Sequence, residues 1–335
     1  MVTPDKLTLT TRDDRVAAVP YLVGFTPTDS LVVVVLDDTR VRFAARLDLP
    51  HPSDLAELVA PAAQNAAMIA RHGSAAYLVG YGPGDRVAPA ATLLTTALTT
   101  AGVDVLEALR VGDGHYWCLC GDTGCADGVA YDPAASRIAA EAVYRGLAPL
   151  PDRAALERLI TPVTGAERDR MRATTTTALH RLTDMLATDR GADANDVRPA
   201  PPEHVVRAGI ATVQQAYESA ARGETLSDDD VAWLTAVLIL PEIRDHSWIT
   251  CDGGDAQRRL WTDVTRRAMP ATSAAPACLL AVTAYLAGDG AMANIAVSRA
   301  LHADPDYYLA RLLGHAMQAG VSPQQWRAAT NGTAE

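Results

Sequence analysis

The chain has 335 residues, of which 49% are hydrophobic and 21% charged, a balance that fits a folded globular protein and excludes bulk disorder. Its 29 basic residues stand against 40 acidic ones, giving a net charge of −11, which disfavours a general nucleic-acid or anionic-membrane surface because phosphate is repelled except at a local patch. Aromatic residues make up only 5%, so the core must be built from Ala, Val, Leu and Ile.

From the first residue onward, Met1 to Lys6 is polar and leads into no apolar stretch with a small-residue cleavage site, so no secretory signal is expected. Asp13-Asp14 opens a short helix to about Leu22, closed by Gly24. After the turn residues Pro27 to Ser30, Leu31 to Leu36 is β-branched and apolar on both faces, the pattern of a strand covered on both sides. Val41 to Leu49 alternates, and the short loop before it predicts an antiparallel hairpin. Ser53 begins a helix to Arg71, ended by Gly73. A strand at Ala75 to Tyr81, a helix at Asp85 to Ala101 and a strand at Val103 to Val111 follow. Gly112-Asp113-Gly114 turns the chain into a strand at His115 to Cys120. Asp132-Pro133 starts a helix to about Gly146.

Pro149-Leu150-Pro151 marks the expected boundary, with an α/β domain at 1–148 and a helical domain at 149–335. No strand pattern follows it. Thr164 to Glu167 has capping-box spacing and opens a helix to about Asp189, followed by a polar, proline-rich linker at 191–202. Helices are then predicted at 203–222, 228–240, 256–269, 276–287, 291–302, 305–319 and 323–329. The most apolar of these runs, Val231 to Leu240, is far short of the roughly 20 residues a bilayer needs, so no membrane association is expected. The fold class is therefore an α/β (α+β) domain with a mixed sheet containing antiparallel hairpins, followed by an all-α domain.

Ala281, Gly288, Ala293, Ala300 and Pro305 fall where one tetratricopeptide-like helical hairpin places its small residues and its proline. Small side chains let paired helices approach closely, and stacks of such pairs build concave peptide-binding surfaces. The alternative is an ordinary tight hairpin in an alanine-rich chain.

The string from Ala17 to Val32, AAVPYLVGFTPTDSLV, resembles the opening of the actinobacterial family known as domain of unknown function 4192. Arg46-Leu47-Asp48-Leu49-Pro50 is similar to its next block, as is Trp117 to Asp132 with its cysteines. Gly288 to Ala291, Arg299-Ala300-Leu301, Asp304-Pro305 and Trp326-Arg327 resemble its end. The resemblance covers nearly the whole chain and implies an intracellular actinobacterial protein, but no activity. The family's cysteine block often has adjacent cysteines, whereas Cys125 here stands between Gly124 and Ala126.

Three groups of residues carry candidate chemistry. Ser30, Arg46 and Asp48, with Asp29 nearby, combine a hydroxyl, a guanidinium and a carboxylate at one end of the predicted hairpin, a set that can bind a polar ligand or do acid–base work. The alternative is an Arg–Asp pair on an outer sheet face. Cys118, Cys120 and Cys125 are candidate zinc ligands, with Asp122, Asp127 or Cys251 available as a fourth, while His115 points to the opposite strand face. Their spacing lacks paired knuckles, so buried apolar thiols are the competing reading. Gly80 to Asp85 sits where a phosphate loop would, but Asp85 occupies the third-glycine position and would repel phosphate. Arg258, Arg259, Arg266 and Arg267 share one helix with Asp263, as on a salt-bridged surface.

No reaction is legible in these residues. The leading expectation is a cytoplasmic, non-catalytic interaction or regulatory protein that docks a protein partner on its helical half and requires no cofactor. The alternatives are an enzyme or small-ligand sensor at Ser30, Arg46 and Asp48, and a zinc-stabilised module at the cysteines. The odd cysteine count, five, points to thiols in a reducing compartment rather than a disulfide framework.

Overall fold

Strand β1 (Ser30–Asp37) is buried over its first six residues, as its run of β-branched side chains requires. The computed structural model describes residues 9, 11–38, 40–120, 127–187 and 200–331. β1 pairs antiparallel on one side with β2 (Arg40–Asp48) and on the other with β3 (Ala75–Tyr81). β3 runs parallel to β4 (Asp104–Gly112), which turns into β5 (His115–Cys118), and β6 (Val129–Ala130) closes the order β2-β1-β3-β4-β5-β6. The result is the expected mixed sheet with antiparallel hairpins.

Alternation sorts the side chains onto two faces. Leu31, Val33, Val35 and Leu78 face α2 (Val59–Ile69) and α3 (Gly84–Thr100), forming an apolar core with Ile69, Val87, Leu94 and Leu98. Gly80 belongs to this face, and a Cβ there would lie 2.2 Å from Val87 Cγ1, so its missing side chain is what lets α3 approach the sheet. The other face is covered by α1 (Arg12–Val23), on which α4 (Arg137–Tyr144) packs through Ile138 against Ala17 and Ala18.

Several element ends differ from expectation for local reasons. α1 is capped by Thr11, whose side chain accepts from Asp14 N while Asp14 bonds back to Thr11 N, so Asp13-Asp14 form the first turn rather than the cap. The helix expected from Ser53 begins as a 3₁₀ segment, Pro52–Leu58, capped by His51, and becomes α-helical only at Val59. Pro61 has no N–H, and a start at Val59 puts it in the first turn where none is needed. The helix expected at 132–146 breaks at Ser136, which has extended ψ and caps α4 through its hydroxyl. β6, too short to show a period, was not expected.

The chain divides into two compact units, 1–155 and 156–335, within α5 (Arg153–Arg158). Leu150 still bonds to the first unit, its N–H donating to Gly24 O and its carbonyl accepting from Thr26 N, both at 2.9 Å. The second unit is helical throughout its described residues: α6 (Gly165–Ala187), α7 (Glu203–Ala221), α8 (Asp228–Val237), α9 (Pro241–Ile249), α10 (Asp255–Arg267), α11 (Ala274–Leu286), α12 (Gly290–Ala303), α13 (Tyr308–Gln318) and α14 (Pro323–Asn331). α9 extends the helical path beyond the expected stop at Leu240, because Pro241 stands at its first position, where proline is favoured. Pro305 does not start a helix: it lies in a turn, Asp306 N bonds to Asp304 Oδ1, and α13 begins at Tyr308. The expected linker at 191–202 falls almost wholly outside the described residues. No described helix is long and apolar enough to cross a membrane.

Candidate functional site

The hairpin register brings the three expected residues together. Ser30 is directly opposite Asp48 on β2, and Arg46 is opposite Val32 on the same face. Arg46 Nη2 lies 2.7 Å from Asp48 Oδ1; the arginine side chain is 14% exposed and the aspartate 83%. The guanidinium also sits 5.8 Å from the ring centroid of Phe25, which is buried and held by the Leu150 bridge.

Two further residues join them from β3. Tyr81 is directly opposite Ser30, and Tyr77 opposite Val34, so both tyrosines share the face of Ser30 and Arg46. Ser30 Oγ, Arg46 Nε, Tyr77 Oη and Tyr81 Oη are all buried without a hydrogen-bond partner among the described residues. Buried polar atoms are nearly always satisfied, and each one left unmade costs about 1–3 kcal/mol. Four on one sheet face therefore call for an explanation. Burial pushes both tyrosine hydroxyls well above their ordinary value of 10, so at neutral pH they are protonated donors. The sequence signal for the tyrosines was their two-residue beat with Val79, but their relevance depended on β3 lying beside β1.

α1 lies over this face and is fixed by polar contacts at its N-terminal end. Arg12 and Arg15 both pair with Glu107 of β4, Arg15 at 2.8 Å. Burial first, and then the Asp13 carboxylate of α1, pushes the Tyr116 hydroxyl up to about 12. Asp14 accepts from Arg137 of α4 at 3.2 Å. Burial first, then the nearby Asp13 charge, also raises Tyr131.

At the same edge of the sheet, Asp29 adopts a left-handed φ of 43°. Its carboxylate accepts from Arg86 Nη1 at 2.7 Å, while Arg86 also donates to the carbonyls of Leu49 and Pro50. Asp29 thus helps staple the loops rather than joining the unpartnered group. In the turn at Gly80 to Asp85, Arg110 Nε donates to Gly82 O at 3.0 Å, and Asp85 lies in the first turn of α3.

The cysteine candidates are only partly placed. Cys118 is half-buried on β5 and Cys120 is exposed, whereas Cys125 and Asp122 lie outside the described residues. Among the described residues no three His, Cys, Asp or Glu side chains are grouped as metal ligands. Cys251 is buried in the helical unit, its Sγ 2.9 Å from Thr283 Oγ1. In the arginine-rich α10, Arg267 is buried and pairs with Asp263 and with Asp228, the latter at 3.2 Å, while Arg258 pairs with Asp255 at 2.6 Å. These pairs tie the helical unit together.

The fold and these residues define a two-unit protein: a mixed α/β sheet with a donor-rich buried face, then an all-helical unit. The chain belongs to the family described as Domain of unknown function (DUF4192), which matches residues 13–324 and so runs through both units. No curated protein and no solved structure matches the chain.

Proposed function

We propose that the α/β unit binds a small polar ligand at Ser30, Arg46, Tyr77 and Tyr81, and that the protein is a non-catalytic regulatory protein. The observation that carries this reading is the group of four buried, unpartnered polar atoms on one sheet face. A ligand that accepts hydrogen bonds would satisfy them. The group is suited to holding rather than to proton transfer: its tyrosines stay protonated, and Asp48 is exposed and paired with Arg46. α1, closing over the group and tied to β4, β5 and α4, is the element through which occupancy would be felt. The test is thermal stabilisation of the full chain across a metabolite panel of sugars, amino acids, organic acids and nucleotides. At least one compound is expected to raise the melting temperature by several degrees in the native protein and not in Arg46→Ala. A panel with no Arg46-dependent stabiliser would overturn the reading.

The docking of a protein partner by the helical unit is a second reading, favoured by Tyr308 and Leu312. They stand one turn apart on α13 and are 70% and 40% exposed. The tetratricopeptide-like comparison rests on α11 and α12, which pack closely through fully buried Ala281, Ala293 and Ala300, with Gly288 at φ 81° between them. A partner recovered reproducibly by the native chain and lost with Leu312→Arg supports this reading; equal recovery by both removes it.

A further inference from the structure

We infer that the ligand of the Ser30–Arg46–Tyr81 group is a small monocarboxylate with a short apolar body; this names the ligand of the site proposed above and rests on that reading. The first argument is hydrogen-bond polarity. Arg46 Nε can only donate, and the Ser30, Tyr77 and Tyr81 hydroxyls each carry a proton to give. A carboxylate offers two oxygens with about four acceptor positions and no donor, which complements such a set. A neutral amide brings an NH₂ that can pair here only by using a hydroxyl oxygen as acceptor, and its single carbonyl oxygen takes fewer of the donors than a carboxylate does.

The second argument is charge. The group has one guanidinium, and its outer edge is already engaged by Asp48. That contact shows the guanidinium accommodating a carboxylate at 2.7 Å, while the inner Nε remains unpartnered. One delocalised cation, partly offset by a solvated aspartate, can balance a single buried negative charge. A phosphate or sulfate dianion would leave uncompensated charge in a buried place, which is strongly unfavourable.

The third argument is size and floor. Ser30 and Tyr81 are direct neighbours across β1 and β3, and Arg46 is two residues from the Ser30 rung on β2. Three adjacent strands span about 10 Å, and the four residues from the Ser30 rung to the Tyr77 rung about 13 Å, a patch for a compact molecule rather than a polymer. Between the polar groups on the same face lie Val32 and Val79, both fully buried, and the Phe25 ring lies beneath the guanidinium. A short hydrocarbon body is chemically compatible with these apolar neighbours.

Calorimetric titration and thermal shift on the full chain test the assignment with three sets of probes: butyrate, isovalerate and benzoate; the amides of these acids; and inorganic phosphate and sulfate. The carboxylates are expected to bind saturably, with their amides at least tenfold weaker and the inorganic anions giving no saturable binding. Arg46→Lys is expected to weaken carboxylate binding at least tenfold, because a lysine ammonium cannot reproduce the Nε donor. Tyr81→Phe and Ser30→Ala should each weaken it severalfold while melting no lower than the native protein without ligand, which separates lost binding from lost folding. Equal binding of amides, or tighter binding of phosphate or sulfate, would overturn the carboxylate assignment, as would no carboxylate binding. If any of these results accompanies an Arg46-dependent stabiliser of another class in the metabolite panel, the ligand site stands and only its chemistry fails. If the panel also contains none, both fall.

Discussion

The two faces of the sheet are made by alternate residues of the same strands, yet they are built on opposite principles. The face beneath α2 and α3 is closed by Leu31, Val33, Val35, Leu78 and their apolar partners, with Gly80 hollowed out to admit Val87. The face beneath α1 places Tyr77, Tyr81, Ser30, Arg46 and Glu107 among its valines, and four of their polar atoms have no partner among the described residues. One face maximises burial, while the other retains groups that cost stability. Buried polar residues are the informative exceptions in a core, and a local conflict of this kind is where function is to be sought.

The largest expected effect belongs to the apolar face. Leu98 is fully buried, so Leu98→Ala is expected to lower unfolding stability by about 2–5 kcal/mol, measured by urea titration. A loss below about 1 kcal/mol would mean that this face is not the main core. Next, Gly80→Ala would drive a methyl group into Val87 and is expected to cost about 1–3 kcal/mol. The double variant Gly80→Ala with Val87→Ala should cost less than the sum of the two single changes, because the added and removed volumes compensate. Strict additivity would show that the two residues do not meet.

On the polar face the sign reverses. Ser30→Ala and Tyr81→Phe each remove an unsatisfied buried hydroxyl, so without ligand each is expected to raise stability by about 1 kcal/mol. A loss of similar size in both would show that these hydroxyls have partners and would erase the contrast between the faces.

A further effect, confined to high pH, concerns the buried tyrosines. Burial raises Tyr77, Tyr81 and Tyr131, and Tyr116 is pushed up to about 12, above the ordinary value of 10. In the unfolded chain these hydroxyls ionise near pH 10, while in the folded protein they stay protonated to higher pH. Their contribution is therefore complete below pH 10 and is lost as pH rises through the interval toward 12. Melting temperature recorded from pH 9 to 12 should fall more shallowly in Tyr116→Phe than in the native chain. Parallel curves would remove Tyr116 from this account.

Much of the local architecture was legible from residue patterns. Leu31 to Leu36 suited a doubly covered strand, and the alternation after it implied the hairpin that sets Asp48 opposite Ser30. Helix ends were less legible where two residues compete for one role. Thr11 and Asp14 cap each other, and Ser136 interrupts a helix that Asp132-Pro133 had announced. Half of the unpartnered group, Tyr77 and Tyr81, was missed because only the pairing of β3 with β1 puts them beside Ser30, and no local pattern reports that pairing.

Periodicity by itself determined the division into an α/β part and a helical part, because side-chain alternation and the helical repeat are properties of the local backbone. The strand order β2-β1-β3-β4-β5-β6 belongs to the tertiary structure alone. That order depends on which apolar faces can be buried together across long stretches of chain. It is also what puts the hydroxyl of Tyr81 and the guanidinium of Arg46 on the same buried surface, from strands more than 25 residues apart.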